Sequence, residues 1–174
     1  MSEWDRICTL SLDETSLSKK WTYDRSPDRL YDPKRNVFCV MIRGLTARWK
    51  QLLFYDFDIT MTKDLLFNII EKAEAAGFLV TAMVSDMAQS NVSLWHSLGV
   101  STTNTSIPNP VAPARKVFVF PDAPHLIKLI RNNLLDKGFL LHGGKRVSSD
   151  CLRKLVERST KDLKPAHKLV CKTR

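Results

Sequence analysis

A chain of 174 residues with a formal net charge of +9 is long enough for one cored domain and too short for two comfortable ones. Its apolar fraction of 44% and charged fraction of 26% are those of ordinary globular proteins, which argues against wholesale disorder. No run approaches the ~20 apolar residues of a membrane span, MSEWDRICTLSLDE lacks the pattern of a signal peptide, and the dispersed Cys8, Cys39, Cys151 and Cys171 form no C-x-x-C pair, which favours a reducing setting over a disulfide framework or zinc knuckle.

The first periodic segment is Ile7 to Asp13, where Cys8, Leu10 and Leu12 alternate with Thr9, Ser11 and Asp13 as in a half-buried strand. Residues 14–35 are polar, are interrupted by Pro27 and Pro33, and read as a loop or a weak excursion. Asn36 to Arg43 and Trp49 to Phe57 are β-rich apolar runs joined by a short connection containing Gly44, which predicts an antiparallel hairpin. A helix follows, with Thr62 as N-cap, an apolar stripe of Leu65, Leu66, Ile69, Ile70 and Ala73, and Gly77 closing it at C′. Phe78 to Val84 is a buried strand with Ser85 and Asp86 at its carboxyl end. A second helix turns Val92, Trp95 and Leu98 inward and closes at Gly99. Ser101 to Ala114 is too rich in Ser, Thr, Asn and Pro to be regular. Val117 to Phe120 is a short buried strand, and helices are expected over about Pro124 to Lys137 and Ser149 to Ser159. Three strands with short links, then β-α-β crossovers, predict an α/β fold: a mixed sheet with helices on both faces.

Two acids stand at strand ends in this scheme. Asp13 ends the first strand on its polar side, and Asp86 ends the fourth. Where those strands are parallel neighbours, both carboxylates emerge at one sheet edge, and hard oxygen donors of that kind suit Mg²⁺. A pair of such ions can activate an attacking oxygen and steady the leaving one in phosphodiester chemistry. Acids at strand ends also simply start turns, and the pattern alone leaves both readings open. Glu14 points to the other face of a continued strand.

Charge is unevenly placed. From Lys145 to Arg174 there are ten Lys/Arg against three Asp/Glu, a balance of +7 that leaves +2 for the rest. Such a tail suits a polyanion, or is a solvated helix with a basic end. No aromatic is interleaved with those charges, so base stacking is not indicated there.

A competing motif lies in Leu53 to Met61, LFYDFDITM, which resembles the first motif of haloacid-dehalogenase-type phosphatases, with Asp56 as nucleophile and Asp58 as acid/base. The VTAMVS run ending at Ser85 resembles their second motif. The paired acids that this family needs after a later strand are matched only by Asp122, in VFVFPDAPH.

Four stretches carry a broader resemblance: SLDE around Asp13, MIRGLTARWKQLLFYDF in the hairpin, GFLVTAMVSDMAQSN around Asp86, and FPDAPHLIKLIRNNLL. In order and spacing over roughly residues 6 to 170 the chain resembles P-element-type DNA transposases, including those that carry a THAP zinc finger. The resemblance implies a ribonuclease-H-like catalytic domain over residues 6–122, three antiparallel strands followed by parallel β-α-β. It implies that Asp13 and Asp86 are the first two catalytic acids and bind Mg²⁺ or Mn²⁺. It further implies that residues 123–174 open a helical GTP-binding insertion, with DNA as partner, a possible homo-oligomer, no membrane association and a nuclear location. No cysteine-histidine THAP module precedes Asp13, and the family's third acid, a glutamate beyond the insertion, is not matched. The expectation is therefore a fragment or domesticated relative with little or no catalysis and doubtful GTP binding. The alternative is a non-catalytic DNA-binding or oligomerisation module.

Overall fold

The computed structural model describes residues 2–158, and the chain divides into two compact units, residues 1–123 and 124–174. The first unit starts with one turn, α1 (Glu3–Arg6), and continues directly into β1 (Ile7–Ser16). Cys8, Leu10 and Leu12 of β1 are buried, while the residues between them are only half-buried, as the period-two pattern requires. The strand runs three residues past Asp13 because β4 (Asn36–Gly44) pairs with it antiparallel as far as Ser16 opposite Asn36. Asp13 is thus inside β1 and not at its end. Between these strands, β2 (Thr22–Asp24) and β3 (Arg29–Tyr31) form a separate two-stranded hairpin where a loop is expected from the sequence. β5 (Lys50–Phe57) then pairs antiparallel with β4. Gly44 is needed at this corner, since a Cβ there would come within 2.6 Å of the Ala47 carbonyl and 2.7 Å of the Trp49 indole nitrogen.

Helix α2 (Lys63–Ala75) begins as its sequence predicts, with the Thr62 hydroxyl accepting from the Leu65 N–H. It ends in a Schellman motif: Gly77 N–H donates to Glu74 O, and Phe78 N–H to Ala73 O. Gly77 has φ +91°, a conformation that strains any residue with a Cβ. β6 (Leu79–Ser85), α3 (Gln89–Ser97), β7 (Ser106–Pro108) and β8 (Lys116–Pro121) complete a six-stranded sheet of order β5-β4-β1-β6-β8-β7. β7 corrects the expectation that Ser101 to Ala114 is irregular. It needs only backbone pairing to β8 and one buried side chain, Ile107, and its Pro108 is tolerated on an edge strand.

The sheet is mixed, with β1, β6 and β8 parallel to one another and β5, β4 and β7 pairing antiparallel with their neighbours. Its core joins Leu10, Leu12, Val40, Ile42, Val80, Met83, Val117 and Val119 to Leu66, Ile69 and Ile70 of α2 and Leu94 of α3. Both helices of this unit serve one face. The reason is topological: β5 to β6 and β6 to β8 step along the sheet in the same direction, and right-handed crossovers then place both helices on the same side. On the other face Met41, Phe118 and Phe120 are exposed.

The second unit holds most of α4 (Ala123–Asp136), a short hairpin of β9 (Phe139–Leu140) and β10 (Arg146–Val147), and α5 (Asp150–Arg158). No described helix is long and apolar enough to cross a membrane.

Candidate metal and nucleic-acid site

The parallel ladder between β1 and β6 ends with Leu12 opposite Ser85, so the next residues of the two strands are Asp13 and Asp86. Adjacent strands lie about 4.8 Å apart, which makes these two residues close neighbours in the chain trace. Alternation places Asp13 with Thr9 and Ser11 on the face opposite α2 and α3, and Asp86 follows Ser85, whose side chain is buried on the core side. The same ladder continues one strand further. Ser85 pairs with Pro121 of β8, and the Asp122 N–H donates to Ser85 O at 2.8 Å. Asp13 and Asp86 are thus the next residues after the last β1–β6 pair, and Asp122 is the next after the last β6–β8 pair, with Asp13 still paired to Cys39 of β4. Among the described residues, however, no three His, Cys, Asp or Glu side chains are gathered as a metal-binding set.

The surroundings of the two expected acids differ. Asp13 is exposed, and its Oδ1 accepts from the N–H of Glu14. Asp86 is half-buried, and its Oδ1 accepts from the Ala88 N–H at 2.9 Å and from Asn91 Nδ2 at 2.7 Å. At both carboxylates these bonds fall on Oδ1, so Oδ2 is the atom that could meet a hard cation. Two such oxygens, with water filling the other positions, suit Mg²⁺ or Mn²⁺ as half of a site. Asn91 is only 4% exposed, and its Oδ1 has no hydrogen-bond partner. The amide cannot be turned to relieve this, because a carboxylate accepts and only Nδ2 can donate to it.

The other sequence candidates fall elsewhere. Asp56 lies on the edge strand β5, antiparallel to its one neighbour, and accepts from the Phe57 N–H. Asp58, at φ +54°, accepts from the N–H groups of Arg35 and Asn36 and so ties the turn after β5 to the start of β4. These are the surroundings of a turn residue, not of a phosphatase acid/base on a central parallel strand. Glu14 stands opposite Phe38, on the other side of the strand from Asp13. In the second unit a cleft of about 300 Å³ is lined by Lys137, Gly138, Arg146 and Arg153, among others. Arg146 donates to Lys137 O and Arg153 to Leu135 O, which holds both side chains along the cleft wall. Most of the basic segment 145–174 lies outside the described residues.

Two features escape sequence reading. Asn91 is a polar residue on a helix, with no pattern to mark it. The β2–β3 hairpin carries exposed aromatics among basic residues, a signal that was visible in residues 17–35 but has no apolar alternation to give it shape.

Comparison with known proteins agrees with this architecture. The family model described as TNP-like, RNase H N-terminal domain, matches residues 1–99. The Transposable element P transposase of Drosophila melanogaster is 42% identical over 141 residues, covering 81% of this chain and 19% of that protein. The solved strand transfer complex of the Drosophila P element transposase is similar in structure, with a TM-score of 0.82 and 37% identity over 92% of this chain and 36% of that one. The chain thus spans about a fifth of the length of the curated relative and about a third of the solved one.

Proposed function

This chain belongs to the TNP-like family of RNase H N-terminal domains, and on that premise we propose that it is the acid-bearing part of a nuclear, DNA-acting transposase relative, in which Asp13 and Asp86 hold a divalent metal at a DNA phosphodiester. One observation carries the reading. The parallel β1–β6 ladder stops at Leu12 and Ser85, so the next residue of the chain on each side is an aspartate, Asp13 and Asp86.

Asp13 and Asp86 would bind Mg²⁺ or Mn²⁺ through Oδ2, and the ion, when bound, supplies charge stabilisation for phosphoryl chemistry. The remaining roles belong to the chain itself. Asn91 Nδ2 and the Ala88 N–H hold Asp86 Oδ1 and thereby fix the plane of its carboxylate. Asp13 is exposed on its strand, within reach of a polyanionic strand. Two carboxylates hold one ion loosely, and in-line displacement with two ions needs a further acidic ligand. Binding of metal and DNA without useful cutting is therefore the expected behaviour of the 174-residue chain. The second reading, a DNA-gripping module with no metal role, is favoured by the absence of a three-ligand set among the described residues.

The test is Mn²⁺ binding followed by electron paramagnetic resonance, beside Asp13→Asn and Asp86→Asn, with a nicking assay on supercoiled DNA run in parallel. Weak Mn²⁺ binding lost in both variants supports the proposal. Binding that is undiminished in both variants removes the site, and robust nicking that survives both places the chemistry elsewhere.

A further inference from the structure

The segment between β1 and β4 leaves the sheet three residues after Asp13 and returns at Asn36, its neck closed by the Leu17 N–H donating to Arg35 O at 2.7 Å. Beyond the neck every residue of β2 and β3 is exposed. The exposed side chains are large: Trp21 at 60%, Tyr23 at 56%, Leu30 at 57% and Tyr31 at 43%. Residues 17–35 also hold six Lys/Arg against three Asp. Two of those acids are occupied within the hairpin, Asp28 by the Tyr23 hydroxyl and Asp24 by the Ser26 N–H. The Arg29 guanidinium lies 5.5 Å from the centre of the Tyr31 ring, within cation–π range. A lone two-stranded hairpin is marginal in water, so one that displays aromatic surface calls for a partner that covers it.

We propose that this hairpin is a strand-gripping arm, which stacks unpaired DNA bases on Trp21, Tyr23 and Tyr31 while Lys19, Lys20 and Arg29 neutralise the neighbouring phosphates. The pairing register decides between partners. Tyr23 stands opposite Leu30 on one face, whereas Tyr31 stands opposite Thr22 on the other face. A flat protein surface could cover only one of these faces, while splayed bases can stack on both. Planar aromatics interleaved with cations are the composition that holds single-stranded nucleic acid, since every base offers a π-face and every phosphate a charge. The arm's root on β1 puts such a strand beside the residue that would act on it. The inference rests on the DNA reading above and adds the element that recognises unpaired bases.

The experiment measures fluorescence anisotropy of the full chain, in EDTA, with a labelled single-stranded oligonucleotide and with a blunt duplex of the same sequence. Trp21→Ala/Tyr31→Ala should weaken single-strand binding by at least ~10-fold and duplex binding much less, and Trp21→Phe should retain most of the affinity. Lys19→Gln/Lys20→Gln should flatten the salt dependence for both DNAs. Tryptophan emission of the wild-type chain should be quenched by the single strand, with the quenching reduced in Trp21→Phe. Thermal midpoints unchanged from wild type would show that these exposed substitutions leave the fold intact. If the aromatic variant binds single strands as tightly as wild type, the arm has no such role, while the Mn²⁺ result for Asp13 and Asp86 stands untouched. If the chain is a dimer that the aromatic substitutions dissociate, the hairpin is a self-association element and the proposal falls. If the wild-type chain binds neither DNA, the proposal falls together with the reading it rests on.

Discussion

The two ends of β6 each hold a carboxylate near a buried asparagine, yet the two clusters are finished differently. At the amino end, Glu74 of α2 accepts from the Val80 N–H, from Asn109 Nδ2 and from both terminal nitrogens of Arg115, at 2.6 to 3.1 Å. Asn109 is fully buried, and its Oδ1 in turn accepts from the N–H groups of Val111 and Ala112. Both Glu74 oxygens and both ends of the Asn109 amide are used, and the cluster ties α2, β6 and the loop before β8 together. At the carboxyl end, Asp86 receives only two hydrogen bonds, both on Oδ1, and the Asn91 Oδ1 behind it is left unpaired. A buried acceptor without a partner costs about 1–3 kcal/mol, so this end of the strand is built against stability. A saturated cluster holds a fold together, and an unsaturated one holds something in reserve.

Removing the centre of the closed cluster should have the largest effect. Glu74→Ala leaves the Arg115 guanidinium without its carboxylate and Asn109 Nδ2 with only a long bond to Val80 O, and should cost about 2–3 kcal/mol in urea unfolding, somewhat under the range for fully buried pairs because Arg115 is about a third exposed. A loss below ~0.5 kcal/mol would show that the two ends are energetically alike. By contrast, Asn91→Leu at the open end should change stability by less than about 1 kcal/mol, since it removes an unpaired acceptor together with one hydrogen bond. The same substitution should weaken Mn²⁺ binding about 10-fold, the usual effect of losing a group that orients a ligand. Equal loss of stability in Asn91→Leu and Glu74→Ala would erase the distinction.

Acid should separate the ends as well. Burial alone would raise the Glu74 carboxyl, but the hydrogen bonds from Arg115, Asn109 and the Val80 N–H, with the Arg115 charge, outweigh it and hold the group below its usual value of 4.5. A depressed folded value means that the contribution is fully present above pH 4.5 and is lost as pH falls through the lower value in the folded state. Wild type should therefore lose stability below pH 4.5 more steeply than Glu74→Gln, as read from urea midpoints. Parallel curves for the two would remove Glu74 from the acid response. The smallest perturbation is a thiol probe. Cys8 lies beside the closed cluster and donates to Leu79 O, and burial, assisted by the Glu74 charge, pushes its thiol up to about 12. It should resist a thiol reagent in the native state, while the exposed Cys151 reacts at once. Rapid native labelling of Cys8 would mean that the closed end opens readily.

What lay in the sequence was whatever neighbouring residues encode together. The alternation of Cys8, Leu10 and Leu12 marked β1, the stripe from Leu65 to Ala73 with Thr62 and Gly77 marked α2 and both its caps, and the apolar runs ahead of Asp13 and Asp86 marked the two neighbouring strands β1 and β6. The β2–β3 hairpin was not legible as structure because it buries no face, so no apolar period announces it. The placement of α2 and α3 on the same face depends on the order β5-β4-β1-β6-β8-β7, which alternation along single strands does not contain. The partnership of Glu74 with Asn109 and Arg115 spans 35 and 41 residues, and the unpaired Oδ1 of Asn91 is a property of its surroundings rather than of its type. Periodicity and caps are set by residues within a turn or two of one another. Register, strand order and the saturation of a buried polar group are settled only when distant segments meet, and those decide which carboxylate is structural and which is left open.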